Sequence, residues 1–106
     1  MTTAAARIDA KALESRAAEV ADLLRALAND RRLLILCRLV EEGEATVGAL
    51  AKDVGLSQSA LSQHLARMRE EGIVAFRRES QTIWYRIADP RIGTLLSTLH
   101  RLYCRD

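Results

Sequence analysis

The feature that most constrains the fold is a pair of helical segments separated only by a short turn that contains glycine. The pattern predicts a short helix over Val47–Val54, which Gly55 interrupts. Ser57 then provides an N-cap for a longer helix over Gln58–Glu71. A short helix, a glycine-containing turn and a longer helix with a polar face are typical of a helix-turn-helix unit.

Two segments rich in β-forming residues follow this unit directly. Ile73–Glu79 and Thr82–Ile87 flank a short turn at Ser80 and Gln81, and this pattern predicts a β-hairpin. A hairpin that immediately follows a helix-turn-helix unit is the wing of a winged fold. The chain is therefore predicted to be mainly α with one small β-hairpin.

Three further helices are predicted around this unit. The first has an apolar stripe with alternating steps of four and three residues, formed by Leu13, Ala17, Val20, Leu24 and Leu27. The pattern leaves open whether this stripe packs on its own core or against a partner helix. Asn29 caps the second helix, which ends at Glu42 and is apolar nearly all round over 33–37, so we expect it to be central and buried. Asp89 and Pro90 open the last helix, which runs to about Cys104.

The predicted order is four helices, two strands and a final helix in one winged helix-turn-helix domain over residues 10–106. Residues 1–9 are small and polar, and we expect them to form a flexible tail. Because a chain of 106 residues buries only a thin core, the area buried in a homodimer would add stability.

Composition and motifs narrow the classes of function. The net charge of +2 permits nucleic-acid binding but does not require it. Met1–Lys11 lacks an apolar core of signal-peptide length, and no run approaches the ~18 apolar residues of a membrane span. We therefore expect a cytoplasmic protein with no membrane partner. The sequence has no Cys-x-x-Cys pair, glycine-rich phosphate loop or nucleophile–base constellation, so neither an enzymatic activity nor a cofactor is predicted.

The longer helix of the unit is the predicted DNA-reading element. Leu61, Leu65 and Met68 are spaced to face inward, which directs short hydrogen-bonding side chains and one arginine elsewhere. In a major groove, Gln pairs with adenine, Arg with guanine and Ser with either base. Arginines on the wing add contacts to phosphates. The predicted DNA-binding residues are Ser57, Gln58, Ser59, Ser62, Gln63, His64, Arg67, Arg77 and Arg78.

Two other interpretations of this surface stay open. Most surface helices have a polar face that contacts only solvent, and some winged-helix modules bind only protein. Nearby Glu70, Glu71 and Glu79 reduce the local positive charge. We therefore expect DNA affinity to depend on geometry and on dimerisation more than on charge.

Three stretches of the sequence resemble the ArsR/SmtB family of bacterial repressors, and they cover residues 28–33, 47–50 and 56–65. The resemblance extends from about Leu13 to Cys104. It implies a winged-helix homodimer that binds a palindromic double-stranded DNA operator and releases it when an inducer acts. It also implies that the first and last helices form the dimer interface. The residues expected there are Leu13, Ala17, Val20, Leu24, Leu95, Leu99 and Leu102.

Most members of this family sense metals, but the metal ligands do not match. One family site places cysteines on the third helix, where this chain has Val47 to Ala51. Another uses carboxylates and several histidines on the last helix, where only Asp89 and His100 could serve, too few for a four-ligand site. No metal site is predicted, and a metal-responsive repressor is the alternative within the family.

The two cysteines resemble those of a thiol-sensing branch of the same family. That resemblance implies that Cys37 and Cys104 are oxidised or bridged by sulfur atoms from reactive sulfur species, after which the operator is released. Considered without the family, Cys37 lies in an apolar helix, where a buried and inert cysteine is the default. Cys104 lies near the chain end, where His100 and Arg101 favour the thiolate and the helix C-terminus opposes it. A regulator that is indifferent to redox conditions is therefore the remaining alternative.

Overall fold

The computed structural model describes residues 7–104 as six helices and three short strands. In chain order the elements are α1 (Ala10–Ser15), α2 (Ala17–Leu27), α3 (Asp30–Glu42), β1 (Ala45–Thr46), α4 (Val47–Val54), α5 (Gln58–Glu70), β2 (Val74–Glu79), β3 (Thr82–Ile87) and α6 (Pro90–Tyr103). The predicted helix-turn-helix unit is formed by α4 and α5, and the predicted wing by β2 and β3. The winged fold is thus confirmed.

Polar side chains at the helix starts set where each helix begins. Asn29, Thr46, Ser57 and Asp89 each accept a hydrogen bond from a backbone amide two or three residues ahead, at 3.0 to 3.2 Å. These bonds satisfy amides that have no partner inside the helix. The caps predicted from the sequence are therefore the caps that the structure uses.

The single first helix predicted through the Leu13–Leu27 stripe is divided at Arg16 into α1 and α2. The Arg16 amide donates to the carbonyl of Leu13 at 2.9 Å, three residues back, which tightens the last turn of α1. Asp9, placed in the predicted tail, caps α1 by accepting from two backbone amides. Residues 1–6 of that predicted tail lie outside the described residues.

The sheet has one strand more than the predicted hairpin. The strand order is β1-β3-β2, and both pairings are antiparallel. Tyr85 lies opposite Ala45 on one side and Phe76 on the other. Because β1 directly precedes α4, its pairing with β3 connects the wing to the start of the helix-turn-helix unit.

The core is formed by the inner faces of several helices and the base of the wing. Ile35, Leu36 and Leu39 of α3 are buried in one cluster with the side chains that α4, α5 and α6 turn inward. The central place predicted for α3 is confirmed on this face, but its outer face exposes Leu34 and Val40. Within residues 7–104, no helix has the length and apolar character needed to cross a bilayer.

Gly55 is the turn residue of the helix-turn-helix unit, and it adopts the left-handed conformation at φ 69° and ψ 36°. A Cβ at this position would meet no atom within 4 Å, so only the backbone conformation disfavours a side chain. We expect Gly55→Ala to lower the free energy of unfolding by about 1–2 kcal/mol, and Gly55→Asn to lower it less, since Asn tolerates this conformation.

Urea denaturation at one fixed protein concentration measures both variants against the wild type. An alanine variant as stable as the wild type would show that the turn relaxes to another backbone conformation.

Candidate nucleic-acid interface and cysteine pair

The outer face of α5 is polar and open to solvent. Leu61, Leu65 and Met68 are completely buried, which fixes the rotation of the helix about its axis. The predicted positions on the other side of α5 are exposed, namely Ser59, Ser62, Gln63 and Arg67. His64 is half-buried at the edge of this face. The helix therefore presents hydroxyl, amide and guanidinium groups on one continuous surface.

The start of α5 lies close to α4. Ser57 is exposed and its Oγ accepts from the Ala60 amide at 3.1 Å. Gln58 is also exposed, but its Nε2 lies 3.6 Å from the position that a Cβ on Gly48 would occupy. Gln58 therefore lies within van der Waals reach of the first turn of α4.

Arg77 of the wing is held in ion pairs within the protein. It donates to Glu44 through Nε at 2.8 Å and Nη2 at 2.9 Å, and to Glu79 through Nη1 at 3.2 Å. Its guanidinium also lies 5.6 Å from the centre of the Trp84 ring. The hydrogen bonds with Glu44 and Glu79 raise the pKa of Arg77, and the bond with Arg77 lowers the pKa of Glu44. Sequence analysis did not single out Glu44, because 33 residues separate it from Arg77.

Arg78 lies beside Arg77 in β2, but its surroundings are different. Successive side chains of a strand point to opposite faces, so the two arginines project on opposite sides of β2. Arg78 is exposed, and no ion pair found across residues 7–104 involves it. Of the two predicted wing residues, Arg78 is the one whose charge is available without breaking a contact.

Aromatic contacts fix the wing relative to α5. The guanidinium of Arg69 lies 5.0 Å from the centre of the Phe76 ring, and Phe76 lies 5.7 Å from Tyr85, centre to centre. Arg69 is on α5, Phe76 on β2 and Tyr85 on β3. α5 and the wing are thus connected by a short stack of side chains.

The two cysteines are free thiols and both are exposed. The default of a buried Cys37 is therefore wrong: Cys37 lies on the outer face of α3, between Leu34 and Val40, which are also exposed. Cys104 is the residue after the last one of α6, and its amide donates to the His100 carbonyl at 2.8 Å. The second and last predicted helices thus each place one thiol at the surface.

The surroundings of Cys37 raise the pKa of its thiol. Partial burial raises this pKa above the ordinary value, and so do the negative charges of Cys104 and Glu41. Near neutral pH, Cys37 is consequently a neutral thiol and a slow nucleophile. Because Cys37 and Cys104 are 67 positions apart in the sequence, only the fold brings them into one region.

The structure offers no group of metal ligands in the part of the chain that it describes: nowhere in residues 7–104 do three His, Cys, Asp or Glu side chains converge. Asp89 and His100, the two candidates on the last helix, are separated by 11 residues, or roughly 16 Å along a helix axis. The Asp89 carboxylate is bound by Arg91 at 2.7 Å.

A cleft of about 740 Å³ lies between α2, the start of α3, α5 and the start of α6. Several of its charged lining residues neutralise one another, since Arg32 pairs with Glu71 and Arg91 pairs with Glu19 and Asp89. Arg16 and Arg91 together lower the pKa of Glu19 to about 2. The cleft is therefore a junction where helices are held together by ion pairs.

Comparison with known proteins places the chain in a family. Residues 29–75 match the family described as bacterial regulatory protein, arsR family. The transcriptional activator HlyU of Vibrio cholerae is 46% identical over 93 residues, which cover 88% of this chain and 85% of that protein.

Two solved structures have the same fold. The transcriptional repressor BigR from Xylella fastidiosa matches with a TM-score of 0.86 and 39% identity, covering 93% of this chain and 100% of that chain. Reduced HlyU from Vibrio cholerae matches with a TM-score of 0.81 and 45% identity, covering 90% of this chain and 99% of that chain. The chain therefore belongs to the ArsR family of bacterial regulatory proteins, and it is a DNA-binding transcriptional regulator and not an enzyme.

Proposed function

We propose that the protein is a homodimeric repressor that binds a palindromic operator and releases it when Cys37 and Cys104 are oxidised or bridged by sulfur. The observation that carries this proposal is the pair of exposed free thiols, one on α3 and one at the end of α6, and the charge of Cys104 is among the causes that raise the pKa of Cys37. The relative HlyU of Vibrio cholerae is known from a structure of its reduced form.

The polar face of α5 supplies the groups that would read bases. Gln63 and Ser62 are exposed hydrogen-bonding side chains, and Arg67 adds a charged donor on the same helix. Such side chains contact base edges when a helix lies in the major groove. Arg78 of the wing would contact a phosphate, which fixes the register of the helix on the duplex.

Exposed apolar side chains on α1, α2 and α6 support the homodimer. Leu13 is 50% exposed, Leu24 52% and Leu102 66%, while Ala17 is exposed and Val20, Leu95 and Leu99 are half-buried. A second copy would remove these groups from water. Two reading helices would then lie about one DNA turn, ~34 Å, apart, as a palindromic operator requires.

Either an organic persulfide or a peroxide can serve as the oxidant that forms the bridge between Cys37 and Cys104. The outer sulfur of an organic persulfide moves to the Cys104 thiolate, and the donor leaves as a thiol. Attack of the Cys37 thiolate on the Cys104 sulfur closes a disulfide and releases hydrogen sulfide. With hydrogen peroxide, two thiols give up two electrons and two protons, and one disulfide and two waters form.

The bridge would act on DNA binding through the dimer. It connects α3 to the end of α6, and α6 belongs to the proposed dimer interface. A change in how the subunits sit would misplace one reading helix relative to the other. A coupling of only ~2.7 kcal/mol between the bridge and the operator corresponds to a hundredfold loss of affinity.

A metal-responsive repressor is the weaker alternative. Asp89 caps α6 and binds Arg91, and His100 lies at the other end of that helix. A second alternative is a regulator whose operator binding does not respond to the redox state of Cys37 and Cys104. Substitution of either cysteine separates that alternative from our proposal.

Glu44→Gln is expected to strengthen DNA binding. The change removes one of the two carboxylate charges that hold Arg77 and makes its Nε and Nη2 groups more available to a phosphate. We expect operator affinity to rise roughly three- to tenfold at 0.1 M salt, with a steeper dependence on salt concentration. Fluorescence anisotropy over a salt series measures both quantities.

Glu14→Gln provides the matched control, since Glu14 is exposed on α1. If both variants change affinity equally, the effect is one of net charge and Arg77 has no specific role.

Cysteine substitution is expected to abolish the response to a persulfide donor. Cys37→Ser and Cys104→Ser should each bind the operator like the reduced wild type and lose less than twofold of that affinity after treatment. Wild type should lose at least ~10-fold while intact mass shows a bridged subunit. Gel shift with parallel mass spectrometry makes both measurements, and a fully responsive Cys104→Ser variant would contradict the mechanism.

The closure of the bridge should accelerate as pH rises. Because the pKa of Cys37 is raised, its thiolate fraction grows about tenfold per pH unit near neutrality, and the closing step needs that thiolate. Quenched mass spectrometry between about pH 6.5 and 8.5 should show a Cys104 persulfide accumulating at the lower pH. A pH-independent closing rate would mean that Cys37 is not the attacking thiol.

Leu24→Glu is expected to convert the dimer to a monomer. It places a charge within the exposed apolar surface of α2, where partner burial would leave that charge without water. Sedimentation velocity measures the mass of the species in solution. Ala49→Glu on the exposed side of α4 is the control and should remain dimeric, whereas a dimeric Leu24→Glu variant would exclude α2 from the interface.

A further inference from the structure

Two neighbouring arginines at the start of α3 contact both helices of the helix-turn-helix unit. Arg31 donates through Nη1 to the carbonyl of Val54, the last residue of α4, at 3.1 Å. Arg32 donates to both carboxylate oxygens of Glu71, the residue after α5, at 2.9 and 3.4 Å. Successive residues of a helix point about 100° apart, so adjacent side chains reach two different elements.

Arg32 also contacts α2. Its Nη1 donates to the carbonyl of Ala26 at 3.1 Å, in the last turn of α2, where carbonyls lack a partner inside the helix. The side chain of Arg32 is only 13% exposed, while that of Glu71 is 45% exposed. One largely buried guanidinium therefore joins the end of α2 to the end of α5.

The charge of Glu71 has an unfavourable position in its own helix. A carboxylate at a helix C-terminus is repelled by the partial negative charge of the unpaired carbonyls there. Glu70 precedes it with the same sign. Glu71 therefore does little for the stability of α5 itself, and its geometry is explained by the two hydrogen bonds from Arg32.

The remaining contacts of α5 with the core are apolar, through Leu61, Leu65 and Met68. Apolar burial is non-directional, so it holds the helix to the core without strictly fixing its tilt. A bidentate pair of an arginine with a carboxylate has a fixed planar geometry. The Arg32–Glu71 pair supplies a directional contact at one end of the helix.

We propose that Arg32 is a positioning residue for DNA reading, which fixes the orientation of α5 relative to α2, while Arg31 holds the end of α4. This inference rests on the proposed role of α5 as the reading helix. Because α2 belongs to the proposed dimer interface, the same contact would set the angle of the reading helix in the dimer.

The test compares operator binding with non-specific binding for Arg32→Met. We expect operator affinity to fall roughly 10-fold, the scale of a disturbed coupling contact, with non-specific affinity and its salt dependence unchanged. Circular dichroism must show that each variant is folded at the temperature of the binding experiment. Arg25→Met is the matched control and should bind like the wild type, because the ion pair that Arg25 makes in residues 7–104 is with Asp22 of the same helix.

Further variants distinguish a positioning role of Arg32 from a folding defect. Glu71→Ala should reproduce the loss of operator affinity, and the double variant Arg32→Met/Glu71→Ala should lose no more than Arg32→Met alone. Arg32→Lys keeps the charge but not the bidentate geometry, so it should recover only part of the affinity.

Other results would overturn the proposal. A lower salt slope with equal losses on operator and non-specific DNA would mean that Arg32 contacts a phosphate directly. A lower melting temperature with unchanged operator affinity would mean that the contact serves stability alone. Gln63→Ala, measured in parallel, tests α5 as the reading helix. If it weakens operator binding while Arg32→Met does not, the positioning role fails and the reading helix stands.

Discussion

The structure depends on the burial of one face of α5. Leu61, Leu65 and Met68 are fully removed from water in one cluster with Ile35 and Leu36 of α3. Once these apolar groups are buried, the rotation of α5 is set and its serine, glutamine and arginine side chains must face outward. The same hydrophobic requirement thus creates both the core and the polar surface that we propose reads DNA. Loss of this burial would remove the fold and the reading surface together.

Ion pairs between elements distant in sequence then fix the relative orientations that apolar packing does not determine. Arg32 joins α2 and α5 through Glu71, and Arg77 joins the wing to Glu44 before β1. The Arg77–Glu44 pair is partly exposed, and such pairs contribute little to stability in water, so we assign it a contribution of geometry. They also limit which charges are free: on the wing, Arg78 is available to a phosphate, whereas Arg77 is already engaged. A regulator with a net charge of only +2 can discriminate sequences if such contacts hold its reading groups in register.

The two cysteines of the proposed switch lie on α3 and at the end of α6, two helices that also contribute to the core. α3 contributes its inner face to the core and Cys37 to the surface, and α6 contributes Leu96 and Ile92 to the core and ends at Cys104. A bond between the two thiols would therefore act on two helices that are already part of the core. Partial burial and the negative charges nearby raise the pKa of Cys37, so the closing step of the proposed reaction, which needs the Cys37 thiolate, is sensitive to pH.

The sequence by itself determined the elements whose signals are local. Caps at Asn29, Thr46, Ser57 and Asp89, the break at Gly55 and the spacing of Leu61, Leu65 and Met68 specify the helices, because each depends on residues within one or two turns. The tertiary structure alone decided that β1 joins the sheet, that Cys37 is exposed and that Glu44 binds Arg77. These features depend on groups distant in sequence, 33 residues apart for Arg77 and Glu44 and 39 for Arg32 and Glu71, and no local periodicity records such a pairing.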